Sequence, residues 1–241
     1  SQTAVFQWNP EGAQRLVQLE AGTADGIDNV GTDDFERVES NPDLQLIRRD
    51  PLNVLYLGFN VDVAPFDDPV VREAIAISLD RQRLVDNFYP GGSIAATQFL
   101  PPAILGYDEN FVDFEYDPEA GAAMLAEAYP DGIDVTLSLR DVARGYLPQP
   151  VPVATDIQAQ LAEIGVNVTI DVQESTTFID NSNAGELGMH LLGWGADYPD
   201  PTNFLDFHFG AGASPQFGTG FTDVEETISE AGSLTDEAER F

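Results

Sequence analysis

The chain has 241 residues, 43% hydrophobic and 10% aromatic, which is enough apolar surface for one core, or for one core plus a smaller attached piece. Its 42 acidic residues stand against 10 basic ones, every one of them Arg, for a net charge of -32. Nucleic acid is excluded as a partner and an anionic membrane surface is disfavoured, because phosphate binding needs clustered cations; the absence of Cys removes disulfide frameworks, thiolate zinc sites and cysteine nucleophiles together.

The acid excess implies a solvated, self-repelling surface of the kind tolerated in salty or extracellular settings. No apolar stretch approaches the roughly 20 residues needed to span a bilayer. The sequence opens at Ser1 without a basic region and apolar signal core, so any export signal is expected upstream or already removed.

In chain order, residues 4–8 read as a strand, and Asn9-Pro10 as a cap with proline at the first helical position. The helix that follows carries Leu16 and Leu19 inward and stops at Gly22. Strands are expected at 24–27 and 44–47 around a short helix near 33–39. The run 52–60 alternates Leu55, Leu57 and Phe59 on one face with Val54 and Tyr56 on the other, the pattern of a strand buried on both sides. Asp68-Pro69 and Asp117-Pro118 each open a helix, the first with Val71, Ala74, Ile75 and Leu79 on one stripe, the second with Ala120, Met124 and Leu125. A strand is expected over 134–139, and a helix over 154–164 ending on Gly165. Beyond it come an alternating strand through Val166, Val168, Ile170 and Val172, a strand at 189–192, and a helix from Asp200-Pro201.

Several of these segments, in order, resemble the family 5 extracytoplasmic solute-binding proteins, the peptide, nickel and oligosaccharide receptors of ABC importers. The resemblance starts over 14–27 and strengthens at Tyr56-Leu-Gly-Phe-Asn60, 68–75 with Leu79-Asp-Arg81, Pro101-Pro102 with Gly106-Tyr-Asp108, 116–119 with 125–128, 157–165, and the Gly193-Trp-Gly-Ala-Asp-Tyr-Pro-Asp-Pro201 segment. It implies an α/β, periplasmic-binding-protein-like fold of the two-lobed type II. Residues 1–53 would be part of the first lobe and 54–241 most of the second, in a fragment lacking the family's N-terminal portion and C-terminal return segment. It further implies an extracytoplasmic, monomeric binding protein, lipid-anchored or secreted in its full-length form. Such a protein is not an enzyme and has no cofactor; it captures a peptide-like solute in an interlobe cleft and presents it to a membrane permease. An oligosaccharide ligand is the alternative within the family, and a carboxylate-pair glycoside hydrolase is the alternative outside it.

The resemblance carries the ligand's amino-group partner onto Asp197, where a carboxylate at the mouth of a closing cleft gives a desolvated cation a charge-assisted partner. Trp194 and Tyr198 flank it and offer rigid aromatic contact area, or alternatively core packing. Arg144 matches the position of an Arg that some dipeptide-binding relatives use against the ligand carboxylate; an ordinary ion pair with a neighbouring Asp is the competing reading. His190 and His208 stand eighteen positions apart with no metal-binding spacing, and no catalytic motif is present.

Overall fold

The computed structural model describes residues 3–9, 11–48 and 52–240. The chain forms two compact units, residues 1–50 and 51–241.

The first unit is helical. Helix α1 (Gly12–Glu20) buries Leu16, and a 3-10 turn at Thr32–Asp34 leads into α2 (Phe35–Glu39), which buries Val38. Arg15 fastens the intervening loop by donating to the carbonyls of Asn9 (2.6 Å) and Asn29 (2.8 Å), and Arg37 pairs with Glu20 and Asp34. The strands expected at 4–8, 24–27 and 44–47 do not form: these residues are irregular, and no strand occurs among the unit's described residues. A strand needs a neighbour for its backbone groups, and alternation without one leaves Val5, Phe6 and Trp8 in solvent. The proline of the Asn9-Pro10 cap lies outside the described residues. Asn9 Oδ1 accepts the Glu11 N–H at 3.0 Å, and the helix opens at Gly12.

The second unit is built on a four-stranded sheet in the order β1-β4-β2-β3, from β1 (Asn53–Phe59), β2 (Ile133–Arg140), β3 (Val166–Gln173) and β4 (Met189–Gly195). Strands β2, β3 and β4 are parallel and β1 is antiparallel to β4. Backbone bonds from Asn60 N to Gly188 O and from Ala196 N to Leu52 O fix which side of β1 faces β4. Even-numbered residues bond inward, so the N–H and C=O groups of Leu55, Leu57 and Phe59 point to the open edge of the sheet.

Helix α3 (Pro69–Ser78) starts where Asp68 accepts the Val70 N–H, and it buries Val71, Ala74 and Ile75; Leu79 lies just past its end, also buried. Helix α4 (Arg81–Phe88) is capped by Asp80 and has Leu84 as its one buried side chain, too sparse a stripe to read as a period. Helix α5 (Pro118–Ala128) is capped by Asp117 as expected. Helix α6 (Pro150–Ala162) begins four residues before the expected position and stops at Ala162, two residues before the expected Ile164; the turn that follows closes on Gly165, whose φ of +84° no β-branched residue adopts easily. The remaining helices are α7 (Ser175–Asn183), α8 (Thr202–Phe209), α9 (Thr222–Ser233) and α10 (Glu237–Arg240).

Leu137 and Leu139 of β2, Val166 of β3, and Met189 and Leu191 of β4 pack with Ile75, Ile157 and Leu161 in one continuous core. Each such side chain contributes about 1.5–3 kcal/mol by leaving water. On the other face Val54, Ile104 and Phe204 form a smaller cluster, with Trp194 packed against it.

Candidate functional site

The chain leaves β2 through α6 to β3 on one side, then returns through α7 to β4 on the other side of β2. Strand order therefore reverses between β2 and β4, and the crevice beyond the carboxyl ends of such strands is where open α/β sheets bind ligands. Backbone pairing between β2 and β4 covers Leu137 and Ser138 alone, so their carboxyl ends are not bridged by a ladder. The ring of Tyr146 packs there instead: a Cβ on Gly193 would lie 2.4 Å from Tyr146 Cδ2, so the side-chain-free residue is what admits the ring. Tyr146 is held in turn by the Tyr89 hydroxyl, which donates to its carbonyl at 2.9 Å.

Trp194, at the end of β4, is fixed by two residues one turn apart on α8. Its indole N–H donates to Asn203 Oδ1 at 3.0 Å, and its ring stacks on Phe207 with centroids 4.0 Å apart. The same Asn203 oxygen accepts the backbone N–H of Asp197 at 3.0 Å, so one buried amide sets both the ring and the backbone of the expected ligand residue. The Asp197 carboxylate is exposed and accepts no hydrogen bond among the described residues. Capping falls to Asp200, which takes the Thr202 N–H at 3.0 Å and a two-pronged ion pair from Arg240 at 2.8 and 2.9 Å. Arg240 and Thr202 hold the Asp200 carboxyl well below the usual carboxylate range.

Trp194 and Asp197 are thus brought together through Asn203. Tyr198 is half exposed and joins neither of them by a hydrogen bond or ring contact among the described residues. Arg144 lies on the β2–α6 loop, where it makes a narrow turn with Leu147 and donates to the Ala143 carbonyl at 3.2 Å. It makes no ion pair with an Asp or Glu among the described residues, so the neighbouring-Asp reading is not what the structure holds.

Along the open edge of β1 runs a groove of about 290 Å³ whose walls include Tyr56, Phe59, Phe99, Phe217 and Arg72. None of the four expected site residues lines it. Behind it His190 is fully buried, and neither of its ring nitrogens has a hydrogen-bond partner of good geometry; burial pushes its pKa down to about 4, with the Gln216 amide offsetting part of the effect. The His208 Nδ1–H donates to the Phe204 carbonyl (2.6 Å), its Nε2 has no partner among the described residues, and the ring is surrounded by Tyr56, Phe99 and Trp194. No group of three or more metal-ligating side chains occurs among the described residues.

Two participants have no motif of their own. Asn203 lies two residues past a proline and reads as helix start, and Tyr146 reads as part of a loop; only the tertiary pairing of α8 with β4, and of the β2–α6 loop with Gly193, reveals them.

The family description "Bacterial extracellular solute-binding proteins, family 5 Middle" matches residues 2–216. The chain is 33% identical over 235 residues to "Heme-binding protein A" of Haemophilus influenzae, covering 96% of this chain and 43% of that protein. It is 31% identical over 215 residues to the "Dipeptide-binding protein" of Escherichia coli, covering 89% and 40%. Among solved structures, a Pseudoalteromonas dipeptide-binding protein in complex with Met-Leu superposes with a TM-score of 0.82 at 28% identity, over 96% of this chain and 47% of the other. The chain therefore spans less than half the length of the relatives it matches, and its sheet and helices have the periplasmic-binding-protein fold.

Proposed function

Because this chain belongs to the bacterial extracellular solute-binding proteins of family 5, we propose that it captures a peptide-like solute at the carboxyl ends of β2 and β4, as part of an ABC importer's receptor. In this reading residues 1–53 contribute to a first lobe and 54–241 to a second, and closure of the lobes presents the ligand to a membrane permease. The binding is reversible and involves no covalent chemistry. Family members are extracytoplasmic, and no helix among the described residues is long and apolar enough to cross a membrane. The peptide names among the relatives favour a peptide over an oligosaccharide.

The observation that carries the reading is the Asp197 carboxylate, without a partner among the described residues, on a backbone that Asn203 holds in place. Such a group is preorganised for a cation such as a peptide's α-amino group. Trp194 supplies a rigid neighbouring ring, Tyr198 an exposed one, and Arg144, which has no ion pair among the described residues, a cation for the ligand carboxylate.

The test is a double cycle by calorimetry in the protein of full family length. Asp197→Asn should weaken a dipeptide by about 30-fold or more, the typical cost of stranding one member of a desolvated charge pair. Acetylating the peptide's amino terminus should weaken wild type comparably and the variant hardly at all, because both changes delete one interaction. A variant that retains native affinity would remove Asp197 from the site.

A further inference from the structure

Cations are scarce in this chain, and where they are left without carboxylates is informative. In the second unit Arg81 pairs with Asp113 (2.8 Å), Arg83 with Asp156 (2.9 Å) and Arg240 with Asp200 (2.8 Å). Arg72 donates to the carbonyls of Phe66 and Asp67. The other two, Arg140 and Arg144, both lie at the carboxyl end of β2, and neither has a carboxylate within ion-pair distance among the described residues. Arg72 likewise has no carboxylate, but its Nη1 is taken up by the Phe66 and Asp67 carbonyls, whereas among the described residues Arg140 reaches hydroxyls and Arg144 the carbonyl of its neighbour Ala143.

Arg140 is half-buried and its guanidinium is oriented by two neutral hydroxyls: Nη2 donates to Tyr146 Oη, and Nη1 to Ser175 Oγ at 3.4 Å. Asp171 shares its face of the sheet two positions along, but that carboxylate is taken up by Gln173 (2.6 Å) and Ser138 (3.4 Å). A guanidinium has five N–H donors, and a phenol that accepts from it keeps its own hydrogen to donate. Arg140 and Tyr146 together thus offer an oriented donor array with a formal positive charge at the carboxyl end of β2, where the Tyr146 ring lies against Gly193, the residue that precedes Trp194 in β4.

We propose that Arg140 and Tyr146 form a second anion-binding pair beside Arg144, and that the ligand is a peptide bearing an acidic side chain in addition to its terminal carboxylate. The assignment rests on the peptide reading above: with Asp197 meeting the amino group and Arg144 the terminal carboxylate, one cation remains for a second anionic group. The net charge of -32 opposes such a ligand at long range, so discrimination arises at contact, through hydrogen bonds that a neutral isostere cannot reproduce.

The experiment compares Ala-Glu with Ala-Gln, which differ in charge and hardly in shape, by calorimetry on the protein of full family length. Wild type should prefer Ala-Glu by about 10-fold or more, the range of a charge-assisted hydrogen bond. Arg140→Met should bring that ratio close to one. Tyr146→Phe, which keeps the ring against Gly193 and removes one oxygen, should reduce the ratio in part, and it decides the matter if the Arg140 variant does not fold. A wild type that binds both peptides equally, or variants that keep the full ratio, overturns the acidic-peptide assignment while leaving the peptide reading intact. A wild type that binds neither peptide overturns both.

Discussion

His190 occupies the space that Gly58 leaves across the β1–β4 ladder: the two residues are partners in register, and a Cβ on Gly58 would lie 2.5 Å from His190 Nε2 and 2.9 Å from Phe217 Cε1. Both rings are packed in place, so the site cannot yield by swinging a flexible chain aside. Gly58→Ala should cost about 1–3 kcal/mol, the usual range for overpacking a close-packed interior. His190→Ala should relieve the clash, so the double variant should lose less stability than the two single changes summed, as read from denaturant titrations.

The same imidazole gives stability a pH dependence. Its folded pKa of about 4 lies below the ordinary 6.5, so between those values the unfolded chain binds a proton that the folded chain refuses. The contribution is complete above pH 6.5 and is lost as pH falls through 4, amounting to about 3 kcal/mol. His208 is also shifted downward by burial and acts with the same sign, whereas protonation of exposed carboxylates relieves repulsion and acts against it. Unfolding free energies measured from pH 7 to 4 should therefore fall less steeply for His190→Leu than for wild type; parallel curves would mean that His190 is not buried neutral.

Asn203 should prove to be the residue on which Trp194 and Asp197 jointly depend. Asn203→Leu leaves two N–H donors without their acceptor and should lower stability by about 2–4 kcal/mol. Asn203→Asp retains an oxygen able to accept both and should recover most of that loss. Trp194→Phe deletes one of the donors, so combined with Asn203→Leu it should be less than additive in thermal melts. Full additivity would show that the indole bond does not couple them.

Screening should stabilise the fold. At a net charge of -32 the compact state repels itself, and the Debye length shrinks from about 30 Å at 0.01 M salt to about 3 Å at 1 M. The melting temperature should rise with sodium chloride over this range; a flat or falling curve would contradict a surface dominated by repulsion.

What could be read in advance followed the strength of local signals. The caps at Asp68 and Asp117 and the alternation in β1 and β3 each combine a side-chain preference with an apolar period and appear where expected, whereas α6 stops at Ala162 and leaves Gly165 to the turn before β3. Helix α4 and helix α7 lack a wide apolar stripe, with Leu84 alone buried on the first and Phe178 and Ser182 on the second, so their stability comes from caps and tertiary contacts that no period reports. The first unit erred the other way, because alternation over 4–8 has no partner strand to reward it. Of the proposed site, Asp197, Trp194 and Arg144 are singled out by a contiguous motif and a loop position, whereas Asn203, Tyr146 and Arg140 come into view only through contacts with elements distant in sequence.

The outward N–H and C=O groups of Leu55, Leu57 and Phe59, flanked by an aromatic groove, also bear on how the polypeptide behaves in a concentrated solution. An apolar strand edge of that kind is a template for pairing with any other extended chain, and charge is among the devices that keep such edges apart. Here that protection is spread over the whole surface as excess carboxylate, and it is weakened by the same ions that steady the fold. Thermal resistance and colloidal stability consequently pull in opposite directions as salt is added, and the buffer that gives the highest melting temperature is the one in which the purified chain is most prone to self-associate.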